Sequence, residues 1–432
     1  MFYRRFWAGA PAESAGGAGV EGRLRDIILR IRCLLALGAL CLGLAAGACG
    51  GDSGGTPVQP VLPQVVDVGG TFLASPKVQP ILYASDTGAT DILAFLQELA
   101  TTSYWTQTTS EYGVGPLTVL PPVMLSDPAP KSVTDAMLES SLASNTTGAN
   151  PAWGAADSST IYLFVLPEGT IESDAEGACC TDYDGYHYQT DVRVGSNVVT
   201  VPYALSCACP GFDGPSVTDL QERTIDMSHE LVETATDPFP DSDPAYTQED
   251  DADIVWTLVT DGEVADMCEF NDDANVIPPG STYMVQRSWS NAAAARFENP
   301  CVPVVTTTPY FNSFPRLGTI SYNGGRLTTQ GIRIPLGQSQ TIDVALLSGA
   351  PVARQWGASA YDYDDAILGV TSGSTLRPSS FTGGSGDTYH LTITPTGADS
   401  YLDGEAFIIW SDYGTPGAPD FESQLTMGLI TN

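Results

Sequence analysis

The stretch Ser228-His229-Glu230-Leu231-Val232-Glu233-Thr234-Ala235-Thr236-Asp237-Pro238 decides how the first folded part of this chain is interpreted. Residues four apart on a helix project from one face, so the side chains of His229 and Glu233 lie one turn apart. An imidazole nitrogen and a carboxylate oxygen at that separation can bind the same zinc ion. The spacing therefore predicts a metal site built on a helix.

Glu230, which follows His229 directly, occupies the position of a catalytic glutamate in a related motif. In the HExxH metalloproteases the corresponding glutamate is the general base beside a metal-bound water, so we predict that role for Glu230. Glu233 stands in place of the second histidine. A solvated helix can carry the same residues by chance, but Leu231, Val232 and Ala235 make the stretch apolar and favour a position against a core.

A zinc site of this kind needs a third protein ligand. We expect Asp266, which lies two residues before Cys268, because a disulfide at that cysteine would fix the local backbone. Glu263 and His187 are the alternatives. The sequence leaves the choice among the three open, and simple surface acidity remains an alternative explanation for both acids.

Helix and strand patterns mix in this part of the chain. Ser216 and Asp219 predict a helix start, and Asp237-Pro238 predicts its end. Thr90 to Leu99 has one apolar helical face, and Thr160 to Leu166 is a continuous apolar run typical of a buried strand. We therefore predict an α+β zincin-like domain with disulfides over residues 65–303.

The remainder of the chain, residues 304–432, has a different pattern. Cysteine is absent there, and short strands such as those around Ile342, Leu391 and Ile408 alternate with Gly, Ser and Pro turns. An all-β sandwich accessory domain is the natural interpretation. Its one histidine, His390, has no obvious partner and no catalytic group beside it.

The beginning of the chain predicts export. Arginines precede an apolar run, Leu34 to Ala46, that is too short to span a bilayer stably. Ala46-Gly47-Ala48-Cys49 resembles a bacterial lipobox, so residues 1–48 are interpreted as a lipoprotein signal peptide and Cys49 as the acylated residue. Residues 49–64 form a flexible tether rich in Gly, Ser and Pro. Ordinary secretion with cleavage nearby is the alternative, and both predict an exported protein at the bacterial cell envelope.

Six cysteines remain after that segment: Cys179, Cys180, Cys207, Cys209, Cys268 and Cys301. Six in an exported chain predict three disulfides. A bridge between neighbours strains the peptide between them, so Cys179 and Cys180 are expected to bond to two other cysteines. A cysteine zinc site is the rival interpretation, and export disfavours it because oxidation competes for the thiols.

The net charge of −34 restricts the partners of the protein. Such an excess of carboxylates repels phosphates, so nucleic acid is not expected as a partner. Divalent cations are compatible with it. Two acidic stretches, Asp250-Asp251-Ala252-Asp253 and Asp272-Asp273, lack the spacing of an EF-hand, so we expect calcium only as a possible stabiliser.

Several segments occur in an order that resembles the Exordium (phosphate-induced protein) family. They cover roughly residues 79–303 and comprise Asp91 to Leu96, Tyr104 to Tyr112, Tyr162 to Leu166, Cys179-Cys180 with Tyr186-His187, Cys207 to Pro210, Thr234 to Pro238, Glu263 to Cys268, and Cys301. The resemblance implies an exported or cell-wall-associated protein, linked in plants to growth and extracellular signalling. It implies no defined reaction. The lipobox and the β-rich part after Pro303 depart from the plant members.

Two functions follow from the sequence. The first is a surface-anchored metallohydrolase, a peptidase by its motif, that holds one zinc ion through His229, Glu233 and Asp266 with Glu230 as base. The second is a non-catalytic extracellular binding or signalling lipoprotein of the Exordium type. The first predicts a peptide or protein substrate, and the second predicts a cell-surface ligand; both predict a lipid anchor in the membrane.

Overall fold

The structure is a computed structural model that describes residues 59–126, 128–174, 177–249, 252–322, 325, 327–368, 373–397 and 404–431. The predicted signal peptide, the lipidation site at Cys49 and most of the tether lie outside these residues. So do Asp250 and Asp251 of the first acidic stretch. Within the described residues, no helix is both long enough and apolar enough to cross a bilayer.

The part of the chain before Pro303 combines helices with short strands. Its helices are α1 (Ala89–Leu99), α2 (Ser103–Thr109), α3 (Asp135–Asn145), α4 (Asp219–Thr236), α5 (Val255–Thr260), α6 (Asp266–Glu269) and α7 (Asn291–Ala295), with a 3-10 turn at Ser110–Tyr112. Its strands are β1 (Val65–Asp67), β2 (Lys77–Tyr83), β3 (Thr118–Val119), β4 (Val123–Leu125), β5 (Ser132–Val133), β6 (Thr160–Val165), β7 (Ile171–Glu172), β8 (Gly185–Val194), β9 (Asn197–Ser206), β10 (Tyr246–Glu249), β11 (Asn275–Val276), β12 (Val285–Gln286), β13 (Ser288–Trp289) and β14 (Cys301–Val302).

One mixed sheet organises this part. Its strand order is β3-β2-β6-β9-β8, and β4 also pairs with β2. Strand β2 is parallel to β3, β4 and β6, β6 is parallel to β9, and β8 returns antiparallel to β9. Strand β6 is buried along its whole length, as its apolar run predicts. Strand β8, at the sheet edge, carries His187 towards helix α4, which packs on β8 and β9.

Helix α4 begins later than the sequence pattern predicts. Thr218 is the N-cap, and not Ser216, because its hydroxyl accepts a bond from the backbone N–H of Gln221 while the Gln221 side chain accepts one from the N–H of Thr218. This reciprocal capping box satisfies two backbone donors at once. The end of the helix at Thr236, before Asp237-Pro238, agrees with the prediction.

The apolar residues around the motif are buried, as predicted. Leu231, Val232 and Ala235 have no solvent exposure and belong to the same core as Ile92 and Phe95 of α1. Each buried aliphatic side chain of this kind contributes about 1.5–3 kcal/mol to folding. The core therefore holds α4 in place from behind, and the charged side chains of the motif project towards β8 and α6.

Three disulfides confirm the prediction from the cysteine count. The pairs are Cys179–Cys207, Cys180–Cys209 and Cys268–Cys301. The neighbouring Cys179 and Cys180 bond to two different partners, as expected. Disulfides are typical of proteins that fold outside the cytoplasm.

The part after Pro303 is all strand apart from one π-helical turn, Asp364–Leu368, among the residues described there. Its strands are β15 (Phe311–Pro315), β16 (Gly318–Tyr322), β17 (Leu327–Arg333), β18 (Gln340–Ser348), β19 (Trp356–Asp362), β20 (Ser374–Arg377), β21 (Ser380–Gly383), β22 (Thr388–Pro395), β23 (Glu405–Tyr413) and β24 (Glu422–Thr431). They form a four-stranded sheet, β15-β18-β22-β20, and a six-stranded sheet, β16-β17-β24-β23-β19-β21.

The two sheets pack face to face, which agrees with the predicted β-sandwich. Val344 and Leu391 from the four-stranded sheet share one buried cluster with Phe407 and Ile409 from the six-stranded sheet. His390 does have a partner, contrary to the expectation from sequence: its Nδ1 lies 2.9 Å from Oδ1 of Asp343 on the neighbouring strand. The pair is exposed, and cross-strand register places it together.

Side chains from both sides of Pro303 contact each other. The Asn299 amide donates to Glu422 over 2.7 Å, and the Trp410 indole N–H donates to the backbone carbonyl of Phe270 over 2.8 Å. The rings of Phe297 and Phe314 lie 5.7 Å apart. Polar and apolar contacts therefore join the sandwich to the part that carries the motif, while the predicted boundary near residue 303 remains a prediction.

Candidate metal centre

Two groups of metal-ligand side chains lie between helix α4, strand β8 and helix α6. The first is His229, Glu233 and Asp266, and the second is His187, Glu230 and Glu233. Within each group one ligand atom from every residue lies within 4.8 Å of the others. Glu233 belongs to both. The two α4 side chains that the motif predicts as ligands therefore meet the favoured third residue, Asp266.

The first group has distances suited to one ion. Nε2 of His229 lies 3.0 Å from Oε2 of Glu233 and 3.5 Å from Oδ1 of Asp266. Ligands at zinc bond lengths of 2.0–2.2 Å in a tetrahedral arrangement are separated by about 3.4 Å. The side chains of His229 and Asp266 are 14% and 12% exposed, against 3% for Glu233. A metal ion bound here would therefore face solvent past His229 and Asp266, with Glu233 on the buried side.

Gln286 orients the ring of His229, and the sequence motif gave no sign of it. Its Oε1 lies 3.1 Å from Nδ1 of His229, while its Nε2 donates to the backbone carbonyl of Ala265 over 3.0 Å. The second bond fixes which end of the amide faces the ring. Because Oε1 can only accept, Nδ1 carries a proton, which leaves Nε2 as the nitrogen that faces the metal position. Such an outer partner is typical of metal-binding histidines.

Glu233 is oriented by the start of helix α6. Its Oε1 accepts bonds from the backbone N–H groups of Ala265 and Asp266, each over 3.1 Å. These are first-turn N–H groups that have no partner within the helix itself. With Oε1 occupied in this way, Oε2 is the oxygen that faces both histidines.

Glu230 lies beside the first group with an oxygen free. Its Oε2 is buried and has no hydrogen-bond partner, and the nearest basic group is Nδ1 of His187 at 3.6 Å. The two groups are within ion-pair distance, but no donor completes the hydrogen bonding of this buried acceptor. An unoccupied carboxylate oxygen next to a metal position is what a general base requires.

All three alternatives for the third ligand converge on this site. Asp266 completes the group of His229, His187 forms the second group with Glu230, and Glu263 lies between them with Oε1 at 3.8 Å from Nε2 of His187. The Cys268–Cys301 disulfide begins within α6, two residues after Asp266.

The charges of the site depend on one another. Burial lowers the pKa of His187, but Glu263, Glu230 and Glu233 outweigh it and raise that pKa to about 10. Burial also lowers the pKa of His229, but the charge of Glu233 outweighs it and holds that pKa well above its usual value. Burial alone would raise the pKa of Glu233, but the two histidines outweigh burial and lower that pKa to about 2. Without a cation, the imidazoles are protonated and neutralise this carboxylate.

The pKa values of two further carboxyl groups in the same region are raised. Burial, and then Glu233, raise the pKa of Asp266 well above its usual value. Burial raises the pKa of Glu263 in the same way, although His187 lies beside it. Ligands must lose their protons when a metal binds, so a divalent cation here competes with protons on these groups.

The two acidic stretches suggested for calcium are used in other ways. Oδ2 of Asp273 lies 2.6 Å from Nη1 of Arg287, whose side chain is fully buried. Asp253 is buried and its Oδ1 accepts a bond from the Gln330 amide. The remaining acids of the first stretch, Asp250 and Asp251, lie outside the described residues. Asp273 and Asp253 therefore take part in polar contacts within the fold, and a calcium ion at these stretches stays a prediction.

Comparisons with known proteins give little. No family model matches the chain, and no curated protein matches it. Among solved structures the chain is similar to the S-layer protein SbsC domains 4 and 5, with 14% identity and a TM-score of 0.15. That alignment covers 28% of this chain and 54% of the other. The chain thus spans about half the length of that structure, and the similarity carries no argument about fold or function.

Proposed function

We propose that this protein is an exported, zinc-dependent hydrolase of peptide bonds, anchored to the cell surface by a lipid on Cys49. The observation that carries the proposal is the convergence of His229, Glu233 and Asp266 at 3.0 and 3.5 Å, with an unpartnered oxygen of Glu230 beside them. One imidazole and two carboxylates make a donor set that zinc accepts, with a position left for water. The zincin-like character of the fold is part of this proposal.

Each residue has a distinct task in the reaction. A bound zinc ion supplies Lewis-acid polarisation of the scissile carbonyl and of water. Glu230 takes a proton from the attacking water as the water oxygen bonds to the carbonyl carbon. Glu230 then passes that proton to the leaving nitrogen as the C–N bond breaks. Gln286 keeps His229 in the tautomer that presents Nε2 to the metal. The N–H groups of Ala265 and Asp266 hold Glu233 in place.

We also propose that the chain is a distant bacterial relative of the Exordium family. Support comes from where two of the resembling segments meet: His187 lies 3.8 Å from Glu263, and Asp266 of the same segment as Glu263 lies 3.5 Å from His229. A third segment, Thr234 to Pro238, directly follows Glu233 in sequence. If the relationship holds, the family would share a metal centre. Zinc analysis of a plant member, with its matching histidine replaced, would test this.

The experiment uses the full-length chain, produced by export so that its disulfides form. Metal content is measured by mass spectrometry in the parent, in His229→Ala and in Glu230→Gln, and hydrolysis is followed on a mixed peptide library. We expect zinc in the parent, loss of zinc affinity in His229→Ala, and zinc without hydrolysis in Glu230→Gln. Activity should fall by about 10²–10⁴-fold in the last variant.

The matched control is Glu222→Gln. Glu222 lies on the same helix, is 2% exposed, and accepts a bond from the backbone of Gly211 away from the metal position. If Glu222→Gln lost as much hydrolysis as Glu230→Gln, the loss would come from a disturbance of helix α4 and not from removal of a base. Full activity in Glu230→Gln would remove the proposed mechanism, and a parent that takes up no zinc would favour the extracellular binding protein instead.

A further inference from the structure

The second group of ligand atoms is slightly wider than the first, and the proposed hydrolase does not use it to hold metal. Nδ1 of His187 lies 3.6 Å from Oε2 of Glu230 and 3.8 Å from Oε2 of Glu233. Both distances are close to the roughly 3.4 Å expected between tetrahedral zinc ligands. The three side chains are 5%, 8% and 3% exposed. A cation here would sit deeper than one at the first position.

Unpartnered atoms distinguish this group from a simple accumulation of acids. Oε2 of Glu230 and Nε2 of His187 are both buried without a hydrogen bond. Each such atom costs free energy unless something binds it, and Oε2 of Glu230 has only the imidazole of His187 nearby, at 3.6 Å. A cation bound to Nδ1 of His187 and Oε2 of Glu230 would occupy the latter directly. It would leave Nε2 of His187 on the side of Glu263, whose Oε1 lies 3.8 Å away.

We propose that His187, Glu230 and Glu233 form a second divalent-cation position, and that a cation bound there inhibits the enzyme. The inference rests on the proposed function, because it concerns the base of that reaction. A carboxylate oxygen that coordinates a cation is no longer available to accept a proton from water. Occupation of the second position therefore takes Glu230 out of catalysis while the first ion stays in place.

The shared glutamate makes the second position the weaker one. Oε1 of Glu233 is taken by the backbone N–H groups of Ala265 and Asp266, so both cations must use Oε2. Two divalent ions on one oxygen repel each other, and the second binds only against that repulsion. The first ion should fill at low zinc concentration and the second only when zinc is in excess.

Zinc titration of the metal-free, full-length chain tests the proposal, with bound metal counted by equilibrium dialysis and mass spectrometry. We expect two ions per parent chain, bound in two separate steps. His187→Ala should bind one ion, with the first step unchanged. His390→Ala is the matched control, since His390 is the exposed histidine paired with Asp343 in the sandwich, and it should still bind two.

Glu230→Gln provides a second variant in case His187→Ala fails to fold. The amide keeps the shape of the side chain but removes the charge, so this variant should also bind one ion. A parent that binds one ion, with His187→Ala identical to it, overturns the second position and leaves the hydrolase intact. A parent that binds no zinc overturns both. Two ions in parent and His187→Ala alike would place the second cation elsewhere and overturn the assignment.

Discussion

Replacement of Gln286 by leucine tests how the metal centre is held in place. The side chain is 5% exposed and leucine fills nearly the same volume, so the change removes two hydrogen bonds and little packing. One is the 3.1 Å contact to Nδ1 of His229, and the other is the 3.0 Å bond to the carbonyl of Ala265. Without an acceptor at Nδ1, the imidazole can carry its proton on Nε2, which is the wrong tautomer for a ligand.

The size of the effect follows from these contacts. Loss of the partner of a buried donor costs about 1–3 kcal/mol. Outer partners of metal-binding histidines change metal affinity by about 10–100-fold when replaced, which corresponds to about 1.4–2.7 kcal/mol. The two ranges agree, so we expect Gln286→Leu to bind the first zinc ion about 10–100-fold more weakly than the parent.

Competition with a chromophoric zinc chelator on the full-length chain measures this affinity. Gln79→Leu is the matched control. Gln79 is also 5% exposed, its amide donates to the carbonyl of Pro121, and it lies on strand β2, away from the metal centre. Its zinc affinity should equal that of the parent. An affinity of Gln286→Leu within twofold of the parent would refute the orienting role, and an equal loss in Gln79→Leu would show a general effect of removing a buried amide.

Two further predictions concern stability. Removal of the Cys268–Cys301 bridge by paired serine substitutions should lower the free energy of unfolding by about 3–4 kcal/mol, because the bridge closes a loop with a sequence separation of 33. The same change should weaken zinc binding more than removal of the Cys180–Cys209 bridge does, because α6 carries both Cys268 and Asp266. Denaturant unfolding and chelator competition measure both, and equal zinc affinities would contradict the coupling. For Asp412 on β23, burial and then Asp272 raise the pKa to about 6. The folded state therefore keeps a proton that the unfolded chain loses near pH 4, and stability falls as pH rises through this window. Asp412→Asn should be more stable than the parent at pH 7, by on the order of 1–2 kcal/mol, but not at pH 3.5; the same difference at both pH values would argue against it.

The motif on α4 was predictable because helix geometry alone sets its spacing. His229 and Glu233 meet because they lie four positions apart on a helix, and the apolar residues around them indicated a buried position. Asp266 could be suggested because Cys268 follows two residues later. The helix start was less certain: both Ser216 and Thr218 can cap, and only the reciprocal bond of Gln221 decides between them.

The rest of the site depends on tertiary contacts that no local pattern encodes. Gln286 reaches His229 because the short strand β12 packs on α4, 57 residues away in sequence. His187 lies on an edge strand, so its inward direction depends on the pairing of β8 with β9. The sequence therefore supplied His187 as one of three alternative ligands, whereas the structure places it in a separate group that shares Glu233.

The position of strand β24 has a consequence for how the protein matures. Glu422–Thr431 pairs with β17 on one side and β23 on the other, and all ten of its residues are buried. A chain that is synthesised N-terminus first therefore exposes one open edge of β17 and one of β23 until this strand emerges. Unpaired edges invite contact with other chains. The interval before β24 emerges is when aggregation competes with folding, and when a chaperone would have most effect.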